Sequence, residues 1–157
     1  MTKENHSRGG AEARSVAAAK DIDDISADVL NIALRIHREL GPGLLETVYE
    51  TVLAGKLVEM GYHVDRQLPV DIMFEGQRFD AAFRVDLLVD YRLIVELKCV
   101  ERLAGVHSKQ LLTYLRLMKQ PVGLLINFGG ETLKEGVKRI VNGHIPSAPS
   151  RLRVNHF

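Results

Sequence analysis

Apolar positions change period along this chain, and the changes mark out its elements. From Ile22 onward, Ile25, Val29, Ile32, Ile36 and Leu40 recur at spacings of three and four, the stripe of a helix buried along one side. Ser26 or an Asp at 21, 23 or 24 supplies its N-cap. Gly41-Pro42-Gly43 stops it, because proline disfavours helix at the preceding residue and glycine admits positive φ. A second helix is predicted over about Leu44–Met60, with Leu45, Val48, Val52 and Leu57 on its apolar side and Gly61 ending it.

After Gly61 the period falls to two. Tyr62–Leu68 and Val70–Phe74 read as short strands divided by Pro69, Glu75-Gly76-Gln77 as a turn, and Arg78–Val89 as the next strand. Asp90-Tyr91-Arg92 turns into Leu93–Val100, whose apolar density predicts a central strand covered on both faces. A third helix over Val106–Lys119, a strand over Val122–Phe128 and a final helix over Thr132–Val141 complete the pattern. The order α-α-β-β-β-β-α-β-α predicts one α/β domain over residues 21–142, a central mixed sheet flanked by helices. Residues 1–20 hold Ala, Gly, Ser and charge with almost no bulky apolar side chain, and read as a flexible leader. Residues 143–157, with Pro146, Pro149, Arg151 and Arg153, read as an irregular tail.

Composition narrows the class. With 21 basic and 20 acidic residues in 157, the formal charge is +1, which excludes a highly basic chromatin-type binder and an acidic solvating chain. Cys99 is the one cysteine, so there is no disulfide framework and no Cys-rich zinc module, and a reducing cytosol suits it. No apolar run approaches the roughly 18 residues that span a bilayer, and the N-terminus lacks an apolar signal core. A cytoplasmic chain without a membrane partner is expected. Few aromatics and no tryptophan argue against a platform of exposed rings.

Candidate chemistry gathers in the hairpin centred on Tyr91. That centre sets Asp86 opposite Glu96, and Lys98, two residues on, shares their face; Val85, Leu87, Val95, Leu97 and Cys99 fall on the other. Directly opposed residues have Cβ atoms roughly 4.5–5.5 Å apart. Two carboxylates that close repel unless a cation or a shared proton lies between them. A hard divalent ion with retained waters suits this oxygen-rich, histidine-free setting, and Lys98 is placed to orient or activate an attacking water. The same trio also reads as a solvated face with a cross-strand salt bridge. On the third helix, Gln110 and Tyr114 emerge together at i, i+4 beside a docking stripe of Leu111, Leu115 and Met118. They are placed to contact a phosphate or brace Lys98, or simply to pack. Glu46 and Tyr49 follow the Gly-Pro-Gly turn, where an acid also complements a helix N-terminus. His37 and His63 have no ligand-spaced partners, His107 shares the Gln110 face, and Cys99 reads as a core thiol. Asn127-Phe128-Gly129-Gly130 reads as a turn, or as amides for a phosphate.

Gly43-Leu44-Leu45-Glu46-Thr47-Val48-Tyr49 resembles the signature of the bacterial GxxExxY protein family. The likeness runs through Arg84-Val85-Asp86, Ile94-Val95-Glu96-Leu97-Lys98, Gln110 to Tyr114, Gly123 to Gly129 and Lys138 to Asn142, covering roughly Ile25 to Asn142. That family belongs to the PD-(D/E)xK nuclease superfamily, and the Gln110, Tyr114 spacing is similar to the motif of its RecB- and Cas4-like members. Val85 stands where the superfamily pattern has proline. The resemblance implies a restriction-endonuclease-like core and phosphodiester hydrolysis in DNA. It assigns Asp86, Glu96 and Lys98 as the catalytic core, with Glu46, Gln110, Tyr114 and Tyr49 as supporting residues. Asp86, Glu96 and Glu46, with the backbone near Val95 or Leu97, would hold Mg²⁺ or Mn²⁺. The partner is nucleic acid, with a homodimer expected because one site cuts one strand. A noncatalytic nucleic-acid- or protein-binding module on the same fold, or an accessory subunit of a larger complex, is the alternative.

Overall fold

A computed structural model of the protein describes residues 20–143. The leader expected over 1–20 and the tail over 143–157 lie outside the described residues, Lys20 and Gly143 apart. The first helix, α1 (Ile22–Leu40), is capped by Asp21, whose side chain accepts from the Asp23 N–H. Ser26 is no cap; its hydroxyl donates to the Ile22 carbonyl at 2.8 Å. The second helix, α2 (Glu46–Glu59), buries Tyr49, Glu50, Leu53, Ala54 and Leu57. That corrects the predicted stripe, since Leu45 and Val48 are exposed and Val52 is only half-buried. The reason is Tyr49, fully buried with its ring stacked on Phe128 at 4.4 Å between centroids. A ring buries more area than the valines it displaces, and α2 turns to suit it.

Five strands lie across one sheet in sequence order: β1 (Val64–Phe74), β2 (Gln77–Val89), β3 (Leu93–Lys98), β4 (Val122–Asn127) and β5 (Val137–Val141). The first three are antiparallel, α3 (Gly105–Met118) carries the chain over to β4, which runs parallel to β3, and β5 returns antiparallel to β4. On one face Leu87, Val89, Leu93, Val95, Leu97, Leu124 and Ile126 pack under α1 and α2; on the other, Leu88, Ile94 and Leu125 pack under Leu111 and Leu115 of α3. The α/β architecture read from the periodicity is therefore observed.

Two predicted elements differ. Pro69 does not divide β1, because β1 is the edge of the sheet and an edge strand tolerates a residue without an N–H. The predicted final helix is instead a short 3-10 turn at Lys134–Gly136 followed by β5. All six residues of β4 are buried, so its outer backbone edge needs a partner more than residues 132–141 need a helix. Local helix propensity yields to that demand.

Both strands of the β1–β2 hairpin also turn over part-way along. Val64, Leu87 and Val89 face α1 and α2, whereas Leu68, Val70, Phe83 and Val85 pack on the α3 side. Residues of one parity cannot reach opposite faces of a regular strand, so the strands must be interrupted between them. The interruption lies at Gln67, with a left-handed φ of 49°, and at Asp86 beside it; Arg66 still pairs with Leu87 and Leu68 with Val85. Val85, expected on the face of Leu87, is thereby on the opposite one.

The ends of β3 and β4 meet closely at Gly129, where a Cβ would stand 2.7 Å from the Val100 nitrogen and nearer still to its carbonyl oxygen. Because that obstacle is backbone, Gly129→Ala is expected to lower unfolding free energy in urea by about 2 kcal/mol or more, the range of severe packing changes. Gly43→Ala, with open space around it, is expected to stay within about 0.5 kcal/mol of wild type.

Candidate active site

The ladder between β2 and β3 pairs Val89 with Leu93, Leu88 with Ile94 and Leu87 with Val95, the register expected from the Tyr91 turn. It goes no further. At the next position the Asp86 N–H donates to Glu96 Oε1 at 3.0 Å, and the Leu97 N–H donates to Asp86 Oδ2 at 2.8 Å. Each carboxylate takes an N–H of the opposite strand. β3 meanwhile stays paired with β4 as far as Lys98 and Asn127, so the sheet opens on one side only. The fork between β2 and β3 is filled by two acidic side chains.

Glu96 is 5% exposed. Burial pushes its carboxyl up to about 8, helped by the charge of Asp86 and opposed by the Asp86 N–H and by Lys98. Glu46, the first residue of α2, is also raised, by burial and then by Asp86 and Glu50, against the pull of Lys98. The Tyr114 phenol is raised by burial and then by Glu96 and Asp86. Helix α2 thus brings Glu46, and α3 brings Tyr114, into the field of the same carboxylate pair. Lys98 is half-buried, and its ammonium makes no hydrogen bond or ion pair among the described residues.

The remaining expected residues divide. Tyr49 serves from beneath: its hydroxyl donates to the Gly41 carbonyl and accepts the Leu44 N–H at 3.1 Å, fastening the turn that delivers Glu46. Tyr114 is half-buried and stacked on Phe83 at 4.3 Å. Gln110 is exposed on α3, and its side-chain amide makes no hydrogen bond among the described residues. His37 bonds the Gly130 carbonyl at 2.9 Å, His107 Nδ1 accepts the Ala104 N–H at 3.1 Å, and His63 stacks on Tyr91. Burial, with Glu46 behind it, raises the Cys99 thiol, which packs against the core as expected. The Asn127 to Gly130 segment is a turn, since Asn127 Oδ1 accepts the Val100 and Gly129 N–H groups at 3.0 Å each.

Glu50 and Gln67 were not anticipated. Glu50 is 3% exposed, and its oxygens accept from Arg66 Nε at 3.2 Å and from Gln67 Nε2 at 2.7 Å. Gln67 Nε2 also donates to Asp86 Oδ1 at 3.1 Å. A sequence signal existed for Glu50: it lies one helical turn after Glu46 and directly beside Tyr49.

Among the described residues no three His, Cys, Asp or Glu side chains form a ready-made cation cage. Glu46 therefore does not close a three-carboxylate set with Asp86 and Glu96 as they stand. The donor chemistry nonetheless fits a hard divalent ion: two adjoining carboxylates, one of them buried and costly to ionise alone, with oxygen donors and no sulfur or imidazole.

The sequence profile of the PD-(D/E)XK nuclease superfamily matches residues 23–140. No curated protein and no solved structure gives a significant match.

The raised carboxyl of Glu96 fixes the sign of a pH effect. An unfolded glutamate titrates near about 4.3, so between that value and about 8 the folded chain binds more protons than the unfolded one. Stability is then full at the acid end of this window and falls as pH rises through it. In metal-free buffer the thermal midpoint is expected to fall from pH 5 to 8, by an equivalent of at most about 4 kcal/mol at about 1.4 kcal/mol per pH unit. Glu96→Gln should flatten the fall, and a wild-type midpoint that rises over this interval would contradict the assignment.

Proposed function

Since the chain belongs to the PD-(D/E)XK nuclease superfamily, we propose that it is a metal-dependent nuclease hydrolysing phosphodiester bonds in DNA. Asp86 and Glu96, with Glu46 directly or through water, would hold Mg²⁺ or Mn²⁺. A divalent cation there supplies Lewis-acid polarisation of the scissile phosphate and lowers the pKa of water. Within the superfamily the chain reads as a GxxExxY member, on Gly43, Glu46 and Tyr49.

One observation carries this reading. A cross-strand salt bridge, the ordinary account of Asp86, Glu96 and Lys98, would pair the lysine with a carboxylate. Instead both carboxylates accept backbone N–H groups, and Lys98 makes no ion pair among the described residues. Its ammonium stays available at the mouth of the fork, to orient a water for in-line attack and to stabilise charge developing on the phosphate. Tyr49 holds the turn before α2, so Glu46 is presented rather than left on a loose loop. Tyr114, stacked on Phe83, borders the carboxylates from α3. Attack by the water that Lys98 orients would give direct hydrolysis, without a covalent intermediate.

The near-neutral charge favours the second reading, a noncatalytic binding module, since phosphate neutralisation normally draws on a Lys/Arg surface. Incubation with Mn²⁺ and a panel of duplex, single-stranded, branched and RNA substrates separates the two. Wild type is expected to cleave a DNA member of the panel. Asp86→Asn, which keeps an oxygen for the Leu97 N–H, and Lys98→Ala should each reduce cleavage at least about 100-fold while circular dichroism melts stay near wild type. Undiminished cleavage by both variants would sink the assignment, and an inert wild type that takes up no Mn²⁺ would leave the binding module.

A further inference from the structure

Gln67 occupies a backbone conformation that its side chain must justify. Its φ of 49° lies in the left-handed region, where residues other than glycine are held at a cost of order 1 kcal/mol or more. No turn requires it there, because the strand continues on both sides and Leu68 still pairs with Val85. What the kink accomplishes is visible in the hydrogen bonds. The amide nitrogen donates to Glu50 Oε2 at 2.7 Å and to Asp86 Oδ1 at 3.1 Å. Both of its N–H bonds are thereby directed at carboxylates, which also settles the orientation of the amide.

From this geometry we infer that Gln67 is the positioning residue for Asp86, a role that deepens the nuclease reading and rests on it. Asp86 is held from two sides: Leu97 N–H on β3 fixes Oδ2, and Gln67 on β1 fixes Oδ1. Two anchors on opposite strands leave the carboxylate little freedom to rotate away when its charge is needed. The chemistry of the anchor matters as much as its reach. A primary amide is neutral, so it orients the carboxylate without cancelling its charge, whereas a lysine or arginine there would compete with a bound cation. Arg66, the residue before Gln67, is held by buried Glu50, to which its Nε donates at 3.2 Å, and by Thr51, to which its guanidinium donates at 2.8 Å. Glu50 thus anchors Gln67 and diverts Arg66. Gln110, the glutamine singled out from the sequence, has no such bond.

Two variants test this. Gln67→Gly relieves the left-handed strain and removes the amide; Gln67→Asn tolerates the same φ but is one methylene too short to span both carboxylates. Mn²⁺ uptake by electron paramagnetic resonance, metal-free thermal melting, and kcat and KM on the DNA that wild type cleaves are measured together. Loss of an outer partner to a ligating carboxylate commonly weakens metal affinity 10–100-fold. Each variant is therefore expected to bind Mn²⁺ at least tenfold more weakly and to lose kcat with KM for DNA within about twofold, while Gln67→Gly melts no lower than wild type. Mn²⁺ affinity within twofold of wild type in Gln67→Gly would overturn the inference and leave the nuclease reading standing. Failure of wild type itself to take up Mn²⁺ would overturn the nuclease reading, and this inference with it.

Discussion

The parting of β2 and β3 after Leu87 and Val95 is the constraint on which the rest of the site depends. A central strand cannot leave its N–H groups bare, so a ladder that stops inside the sheet must find other acceptors. Asp86 and Glu96 supply them, each reaching across the gap to the other strand. That exchange opens the sheet on one side of β3, while the parallel pairing with β4 keeps the other side closed through Lys98. Helices α1 and α2 on one face, and α3 on the other, hold the fork open by packing on the apolar residues behind it. Gly129 lets the ends of β3 and β4 meet there.

Filling the fork with carboxylates has a price in electrostatics. Two unit charges about 4 Å apart repel by about 4 kcal/mol at an effective dielectric of 20. The two backbone N–H groups donated to these carboxylates return about 1.5–3 kcal/mol each, the same order as the repulsion, and the burial of Glu96 is left to be offset as well. Glu96 answers by holding a proton up to about pH 8. Lys98 lies near enough to lower the carboxyls of both Glu96 and Glu46, yet pairs with neither. A divalent cation bound as proposed would take the electrostatic position of that proton, so its uptake would be linked to proton release.

Much of this was legible in the chain, because it depends on local rules. The Tyr91 turn fixed the β2–β3 register, and with it the apposition of Asp86 and Glu96. What escaped depends on contacts distant in sequence. Folding the β1–β2 hairpin about Glu75 and Gly76 would place Asp65 opposite Asp86; an irregularity between Val70 and Ile72, with Ala81 at a φ of 47°, shifts the pairing by two residues and brings Gln67 there instead. The separate interruption at Gln67 and Asp86 sends Val85 to the α3 side, which alternation alone forbids. The α2 stripe was misjudged because Tyr49 is polar by its hydroxyl and apolar by its ring, and the ring stacks on Phe128, a residue 79 positions later in the chain. The final helix failed because β4 needed an edge partner, a requirement that residues 132–141 do not carry within themselves.

The weighing of an active site against a bare scaffold turns on energy rather than on shape. A fold kept only for binding gains nothing from a glutamate 5% exposed whose carboxyl is driven to about 8; a glutamine there would keep an acceptor for the Asp86 N–H and remove the repulsion. Nor does such a scaffold gain from a left-handed glutamine whose amide spans two carboxylates. Buried pairs that merely stabilise are matched in charge, whereas this cluster sets Glu46, Glu50, Asp86 and Glu96 against Lys98 and an Arg66 turned toward Glu50. Features that break local rules without a compensating structural gain concentrate where a ligand completes the balance. Here the missing charge is positive and the donors are all oxygen. That combination suits the divalent-cation chemistry proposed for the site better than it suits a surface that only binds.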